Sequence, residues 1–244
     1  MTTARFVTDA GAVVPAVTVE QMREVDRIAV EDLGPNLYQM MENAGRSLAL
    51  TAIETLGPDW RTSPIVVLAG TGGNGGGGIC AARHLGNRGA DVTVVVTRPE
   101  GLAPVTAGQL DTYRATPGRI ESAGRLDRLE PRLVVDAVIG YNLGGALRGA
   151  ACELIDWAAS GAAPVLSLDV PSGIDAGSGN APGSHVRAAT TMTLALPKTG
   201  LDAPATGRLL LADIGIPPEV YRRAGIDVPG GLFGDRYRVP LRAA

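Results

Sequence analysis

Apolar residues recur along this chain in two rhythms. From Thr18 the rhythm is helical: Val19, Met22, Val25 and Ile28 fall three residues apart on one stripe. Gln21, three residues after Thr18, completes the form of a capping box, in which each side chain satisfies a backbone amide of the first turn. Leu33-Gly34-Pro35 ends this helix. Asn36 can cap the next, whose apolar face runs through Leu37, Met40, Met41, Ala44, Leu48, Thr51 and Ala52 to Gly57-Pro58. Beyond it the rhythm changes. Residues 64–69, 90–97, 133–140, 163–170, 189–196 and 208–214 are short, β-branched and lack polar alternation, as strands buried on both faces do. Helical segments are predicted between them at about 79–87, 104–116, 121–130 and 148–160, and Pro217 opens a last short helix ending near Gly225. Strands alternating with helices predict an α/β fold with a mostly parallel sheet covered on both faces. One domain over residues 18–225 is expected, with residues 1–17 and 226–244 as N- and C-terminal tails.

Composition narrows the function. The 244 residues carry a net charge of −3, which gives no basic surplus for nucleic acid. No apolar run approaches the ~20 residues of a membrane span, and no secretion signal is evident, so a soluble cytoplasmic protein is expected. Two cysteines, Cys80 and Cys152, and two histidines, His84 and His185, are too few for a disulfide framework or a His-based metal centre and are read as structural. Glycine is abundant, at 33 residues. Of the 22 basic side chains, 21 are Arg and one is Lys198. A lone lysine among arginines is a candidate for chemistry that a guanidinium cannot do, because only the amine shifts its pKa readily.

The candidate chemistry sits where strands end, which is where open α/β sheets bind ligands. The tract Gly70 to Gly78 follows a strand and opens a helix. It contains G-x-G-x-x-G at Gly70, Gly72 and Gly75, and its exposed amides suit a phosphate or pyrophosphate. A P-loop is excluded, since no Gly-Lys-Ser/Thr follows. Asn74 is the tract's one side chain past Thr71 that can coordinate a cation or orient an amide. Asp136 lies near the end of the strand at 133–140, Asp169 closes the strand at 163–170 and leads into Pro171-Ser172-Gly173, and Lys198 follows Leu194-Ala-Leu-Pro197. These groups can converge on one cleft and fit acid–base chemistry without a transition metal. Hard oxygens of Asn74, Asp136 and Ser172 suit an alkali or alkaline-earth cation.

Several ordered motifs resemble the NAD(P)H-hydrate epimerases, the YjeF N-terminal domain family. They are Tyr38-Gln-Met-Met-Glu-Asn-Ala-Gly45, Gly70 to Gly78, Val135-Asp-Ala-Val-Ile-Gly140, Asp169-Val-Pro-Ser-Gly-Ile-Asp175, Ala195-Leu-Pro-Lys-Thr-Gly200 and Asp213-Ile-Gly-Ile-Pro217, and the likeness covers about residues 18–225. The resemblance implies a three-layer α/β/α Rossmann-like fold, a homodimer, and an isomerase that interconverts the R and S epimers of hydrated NADH or NADPH. It implies potassium held by Asn74, Asp136 and Ser172, and substrate contacts from Gly73, Asn74, Gly75, Gly76 and Gly77, from Gly140, Tyr141, Asn142, Leu143, Gly144, Gly145 and Ala146, and from Asp169. Asp169 and Lys198 are the expected catalytic pair. The family's glycine loop usually reads N-N-G-G-D-G; here Gly73 and Gly77 replace its first Asn and its Asp, and Gly77 is expected to leave extra room.

Other functions stay open on the sequence. A family member recruited to a different isomerisation or ring chemistry keeps the same cleft. A non-catalytic nucleotide- or protein-binding module is consistent with the altered glycine loop. An NADP dehydrogenase is the remaining reading: Asp91 stands at the wrong end of its strand to hold a ribose, but Arg98 can meet a 2′-phosphate.

Overall fold

The computed structural model describes residues 5–244. Both predicted N-caps form, and each is part of a capping box. Thr18 and Gln21 exchange bonds at the start of α1 (Val19–Arg27), and Asn36 and Gln39 do so at α2 (Leu37–Leu56), with a π-helical stretch, Ile28–Leu33, between the two helices. The βα units follow as β3 (Ile65–Ala69), α3 (Gly73–Gly86), β4 (Val92–Val96), α4 (Pro104–Tyr113), β5 (Arg119–Glu121), β6 (Leu133–Ala137), α5 (Ala150–Ser160), β7 (Val165–Leu168), β8 (Thr190–Leu194), β9 (Arg208–Ala212) and α6 (Pro218–Arg223).

The ends of the chain depart from the expectation of tails. Residues 5–17 supply β1 (Arg5–Thr8) and β2 (Val13–Pro15), and residues 226–244 supply β10 (Arg238–Ala243); residues 1–4 of the expected tail lie outside the described residues. The single sheet runs β2-β1-β10-β9-β8-β7-β6-β3-β4-β5. It is parallel from β9 to β5 and antiparallel across β9-β10-β1-β2. Pairing satisfies the backbone of these short segments, and Phe6, Val14, Val239 and Leu241 bury into one apolar cluster with α1 and α6.

Period-two alternation sorts the parallel strands into two faces. On β3, Ile65, Val67 and Ala69 meet Leu48 of α2, Ile79 and Leu85 of α3 and Leu110 of α4, while Val66 and Leu68 turn to Leu154 and Ile155 of α5. Helices therefore cover both faces, giving the three-layer α/β/α arrangement.

Two local expectations are corrected. The helix expected from Ile79 begins at Gly73, inside the glycine tract. The glycines pack rather than flex there: a Cβ on Gly75 would lie 1.9 Å from the Gly70 carbonyl oxygen, and one on Gly78 would lie 2.4 Å from Ala137 Cβ. The helix expected at 121–130 is instead the edge strand β5 followed by a 3-10 turn, Ala123–Arg128, which places Leu126 in the core.

Candidate active site

The strand ends β3, β6, β7 and β8 open on a cavity of about 440 Å³. Met22, Leu37, Met40, Met41, Leu168, Leu194 and Ile214 give it apolar walls, and its polar points are Asp26, Asn74, Tyr141, Asn142, Asp169 and Lys198. A larger cavity of about 690 Å³ lies between α6 and residues 225–234, and none of the predicted site residues lines it.

Asp169 follows β7 directly and holds φ at +68°, a left-handed conformation that Asp tolerates better than most residues. Its backbone amide donates to Met192 O on β8 at 2.7 Å. The turn fixes the carboxylate asymmetrically. Oδ1 accepts from Lys198 Nζ at 2.5 Å, from the Leu194 amide at 3.2 Å and from Thr193 Oγ1 at 3.3 Å. Among the described residues Oδ2 has no such donor, and it faces Gly140, where an added Cβ would stand 3.0 Å from Oδ2 and 3.2 Å from Asn74 Oδ1. Gly140 thus keeps open the space onto which the free oxygen of Asp169 and the carboxamide of Asn74 both look.

Lys198 is buried and held from several sides. Nζ also donates to Leu194 O at 3.0 Å and lies 5.5 Å from the centre of the Tyr141 ring, a cation–π contact. Its backbone is strapped by the segment before α1: the Val17 amide donates to Pro197 O at 2.9 Å and the Thr199 amide to Val17 O at 3.1 Å. Tyr141 in turn donates its hydroxyl to Asp26 Oδ2. Burial pushes the Tyr141 phenol up from its usual range, reinforced by the charge of Asp26, so it stays a proton donor. At the cavity mouth Arg23 Nε donates to Asn142 Oδ1 at 2.9 Å.

Asp136 and Ser172 lie beneath the cavity, fully buried, and are bonded to each other. Asp136 Oδ1 accepts from Ser172 Oγ at 2.5 Å, and Oδ2 accepts from the Ser172 amide and from Ser167 Oγ, each at 2.8 Å. Burial raises the Asp136 carboxyl above its ordinary 3.8 against the pull of these bonds. Ser172 Oγ also accepts from the Ile139 amide at 3.0 Å, tying the end of β6 to the turn after Asp169. Asn74 lies in the first turn of α3, and among the described residues its buried Nδ2 has no partner.

The structure therefore brings Gly73, Asn74, Gly77, Gly140, Tyr141 and Asn142 to one cavity with Asp169 and Lys198. Gly75 and Gly76 sit behind it as packing glycines, the latter against Met41 Sδ, and Leu143, Gly144, Gly145 and Ala146 continue the loop away from it. The extra room expected at Gly77 is taken by Leu168, whose Cδ2 lies 2.8 Å from an added Cβ. Asp26 was not singled out by sequence. Its signal was a charge one turn after Met22, beside the apolar stripe.

Among the described residues one further group has metal-binding side chains together, Glu42, Cys80 and His84. Arg83 donates to Glu42 there and supplies the cation itself, His84 Nε2 lies 2.8 Å from Glu42 Oε1, and burial pushes the Cys80 thiol up to about 12. The cluster ties α2 to α3 as an ion-pair network, in keeping with the structural role expected of Cys80 and His84.

Comparison of the chain with known proteins points to one family. The family described as YjeF-related protein N-terminus matches residues 37–200. The NAD(P)H-hydrate epimerase of Dehalogenimonas lykanthroporepellens is 51% identical over 240 residues, 98% of each chain. The NAD(P)H-hydrate epimerase of Truepera radiovictrix is 36% identical and covers 85% of this chain and 93% of its own. The bifunctional NAD(P)H-hydrate repair enzyme Nnr of Salinibacter ruber is 36% identical over 88% of this chain, which spans 43% of that longer protein. The crystal structure of yeast ynu0 shares the fold, with a TM-score of 0.77 at 20% identity over 94% of this chain and 99% of the yeast chain.

Proposed function

The chain belongs to the family of YjeF-related protein N-termini, and on that premise we propose that it is an isomerase, an NAD(P)H-hydrate epimerase. The observation that carries the chemistry is the asymmetry of Asp169: one oxygen is held by Lys198 and two further donors, and the other is free toward the cavity. The hydrated ring carries a hydroxyl on C6, next to the ring nitrogen. Interconverting its two epimers requires a bond at C6 to break and re-form on the other face, and a proton must move as it does so. Asp169 Oδ2 is the group that moves it. Lys198 and the Leu194 amide hold the carboxylate in place without occupying that oxygen.

The rest of the cavity serves binding. The apolar walls take the nicotinamide and exclude water, which strengthens the electrostatics around Asp169. The start of α3 at Gly73 and Asn74 presents backbone amides without helical partners to the pyrophosphate. Arg23 and Asn142 stand at the mouth for the remainder of the dinucleotide.

Potassium is part of this reading, with Asn74, Asp136 and Ser172 as its holders. The donors are all hard oxygens, and among the described residues no Lys or Arg reaches the buried Asp136 carboxylate, so a monovalent cation fits its charge. When bound, it offsets that charge and fixes the two loops carrying Gly140 and Ser172. No helix of the described residues is long and apolar enough to cross a membrane, and we infer a cytoplasmic enzyme. A homodimer is the assembly inferred. Val30 and Leu33 of the π-helical stretch and Leu37 and Tyr38 at the start of α2 expose large apolar side chains, a face suited to a second copy.

The test is epimerisation itself. R-enriched hydrated NADH mixed with the protein should reach its R/S equilibrium well ahead of the spontaneous reaction, and faster in potassium than in a potassium-free buffer. A folded protein that leaves the ratio at the spontaneous rate sinks the reading and favours the recruited enzyme or the binding module.

A further inference from the structure

A second carboxylate faces the cavity. Asp26 stands on α1 one turn after Met22, and both line the wall opposite the strand ends. Its Oδ2 accepts from Tyr141, whose ring meets Lys198. Among the described residues no Lys or Arg comes within ion-pair distance of it, unlike Asp169.

Building on the epimerase reading, we propose that Asp26 is the second proton-transfer group of the site, the acid that complements Asp169 as base. Ring opening balances with these two groups alone. Asp169 takes the proton of the C6 hydroxyl, and the O–H electron pair forms the C6=O bond of an aldehyde. The C6–N1 pair moves onto N1, and Asp26 delivers a proton there. Rotation about the C5–C6 bond turns the other face of the aldehyde to the nitrogen. Reclosure returns the N1 proton to Asp26 and the proton on Asp169 to the new hydroxyl. Both residues are restored, and no oxidant, reductant or other co-reactant is consumed.

The surroundings divide the two roles. Three donors, Lys198 Nζ among them, converge on Asp169 Oδ1 and leave Oδ2 to the cavity. Asp26 has one neutral donor. Burial pushes its carboxyl above the ordinary 3.8 and the charge of Asp169 adds to this, outweighing the hydrogen bond from Tyr141 and the field of Lys198. Tyr141, Lys198 and Asp169 face it from the strand-end loops, and Tyr221 faces it from α6. Two carboxylates in one cavity with opposed surroundings form an acid–base pair.

The experiment is the pH profile of kcat for the full chain, Asp26→Asn and Tyr141→Phe. The unaltered protein should give a bell. D26N should lower kcat about 10²-fold and lose the alkaline limb, with KM changed far less. Y141F removes a bond that favours the ionised Asp26, so its alkaline limb should move to higher pH. A D26N rate within about threefold of the parent, or a reduced rate with both limbs kept, overturns the proposal. If D26N fails to fold, Y141F decides, and an unmoved limb overturns it. An inactive parent protein overturns the epimerase reading and this inference together; an active parent matched by D26N overturns this inference alone.

Discussion

Lys198 and Asp169 meet at 2.5 Å, Nζ to Oδ1, with side chains only 1% and 5% exposed. A buried pair of this kind is destabilising to break, because the partner left behind is an uncompensated charge. Lys198→Met should therefore cost about 3–5 kcal/mol of unfolding free energy and abolish epimerisation, as read by denaturant melts and the R/S assay. The double variant Asp169→Asn, Lys198→Met removes both charges and should regain part of that stability while staying inactive. A double variant less stable than K198M alone would show that the pair is not the source of the loss.

Asp169 occupies left-handed backbone, so the informative replacement is Asn, which keeps that conformation where Ala is strained by roughly 1–2 kcal/mol. Asp169→Asn should lose about 10²–10⁴ in kcat while keeping the parent's circular dichroism spectrum. Retained turnover in D169N removes Asp169 from the chemistry.

The glycine tract separates packing from binding. Gly70→Ala would set a Cβ 1.8 Å from the Val138 carbonyl oxygen, a rigid neighbour, and should destabilise by at least the ~1–3 kcal/mol of an overpacked core. A Cβ on Gly73 meets nothing within 4 Å, so Gly73→Ala should leave the thermal midpoint unchanged. Equal midpoints for the two variants would refute the packing account.

The cation proposed for Asn74, Asp136 and Ser172 would stabilise the native state by mass action, about 2.7 kcal/mol at a hundredfold excess over Kd. Replacing potassium by tetramethylammonium at equal ionic strength should lower the melting temperature by several degrees, and Asn74→Ala should shrink the difference. Identical melts in the two salts count against the site.

Asp26 gives a stability prediction of its own. Its carboxyl holds a proton more tightly folded than unfolded, so the folded chain loses stability as pH rises through the folded value. Asn does not ionise. D26N should therefore melt above the parent protein near neutral pH, and the gap should close toward pH ~4, the range of an unperturbed Asp. A gap independent of pH would point to a packing effect instead.

The βα alternation, the Thr18 capping box, the Asn36 cap and the strand-end positions of Asp136, Asp169 and Lys198 were legible because periodicity and capping are local. Three things were not. Six glycines among residues 72–78 read as a loop, since glycine is a poor helix former, yet the close approach of α3 to Gly70 and Ala137 requires residues without Cβ atoms there. β1, β2 and β10 are three to six residues long and gain their stability from pairing with distant segments, as Phe6 does opposite Ala243. The Val239 and Leu241 alternation of β10 was the available hint. Asp26 read as one of several charges on α1, and Tyr141 as one residue of a loop; their meeting is set by tertiary packing across 115 positions.

β10 lies between β9 and β1, and Arg236 bridges Asp9 at 2.7 Å across 227 positions of sequence. On the ribosome, the β1–β2 hairpin emerges before the parallel strands, and its partner β10 is made after them. The parallel strands that carry Asp169 and Lys198 emerge earlier. Closure of the sheet across β9-β10-β1 must then wait until the strands around the cavity have been made. Until it happens, β9 and β1 both expose unpaired backbone edges, the kind that recruit a second chain. A nascent protein stalled before residue 238 faces aggregation before it faces loss of its cavity.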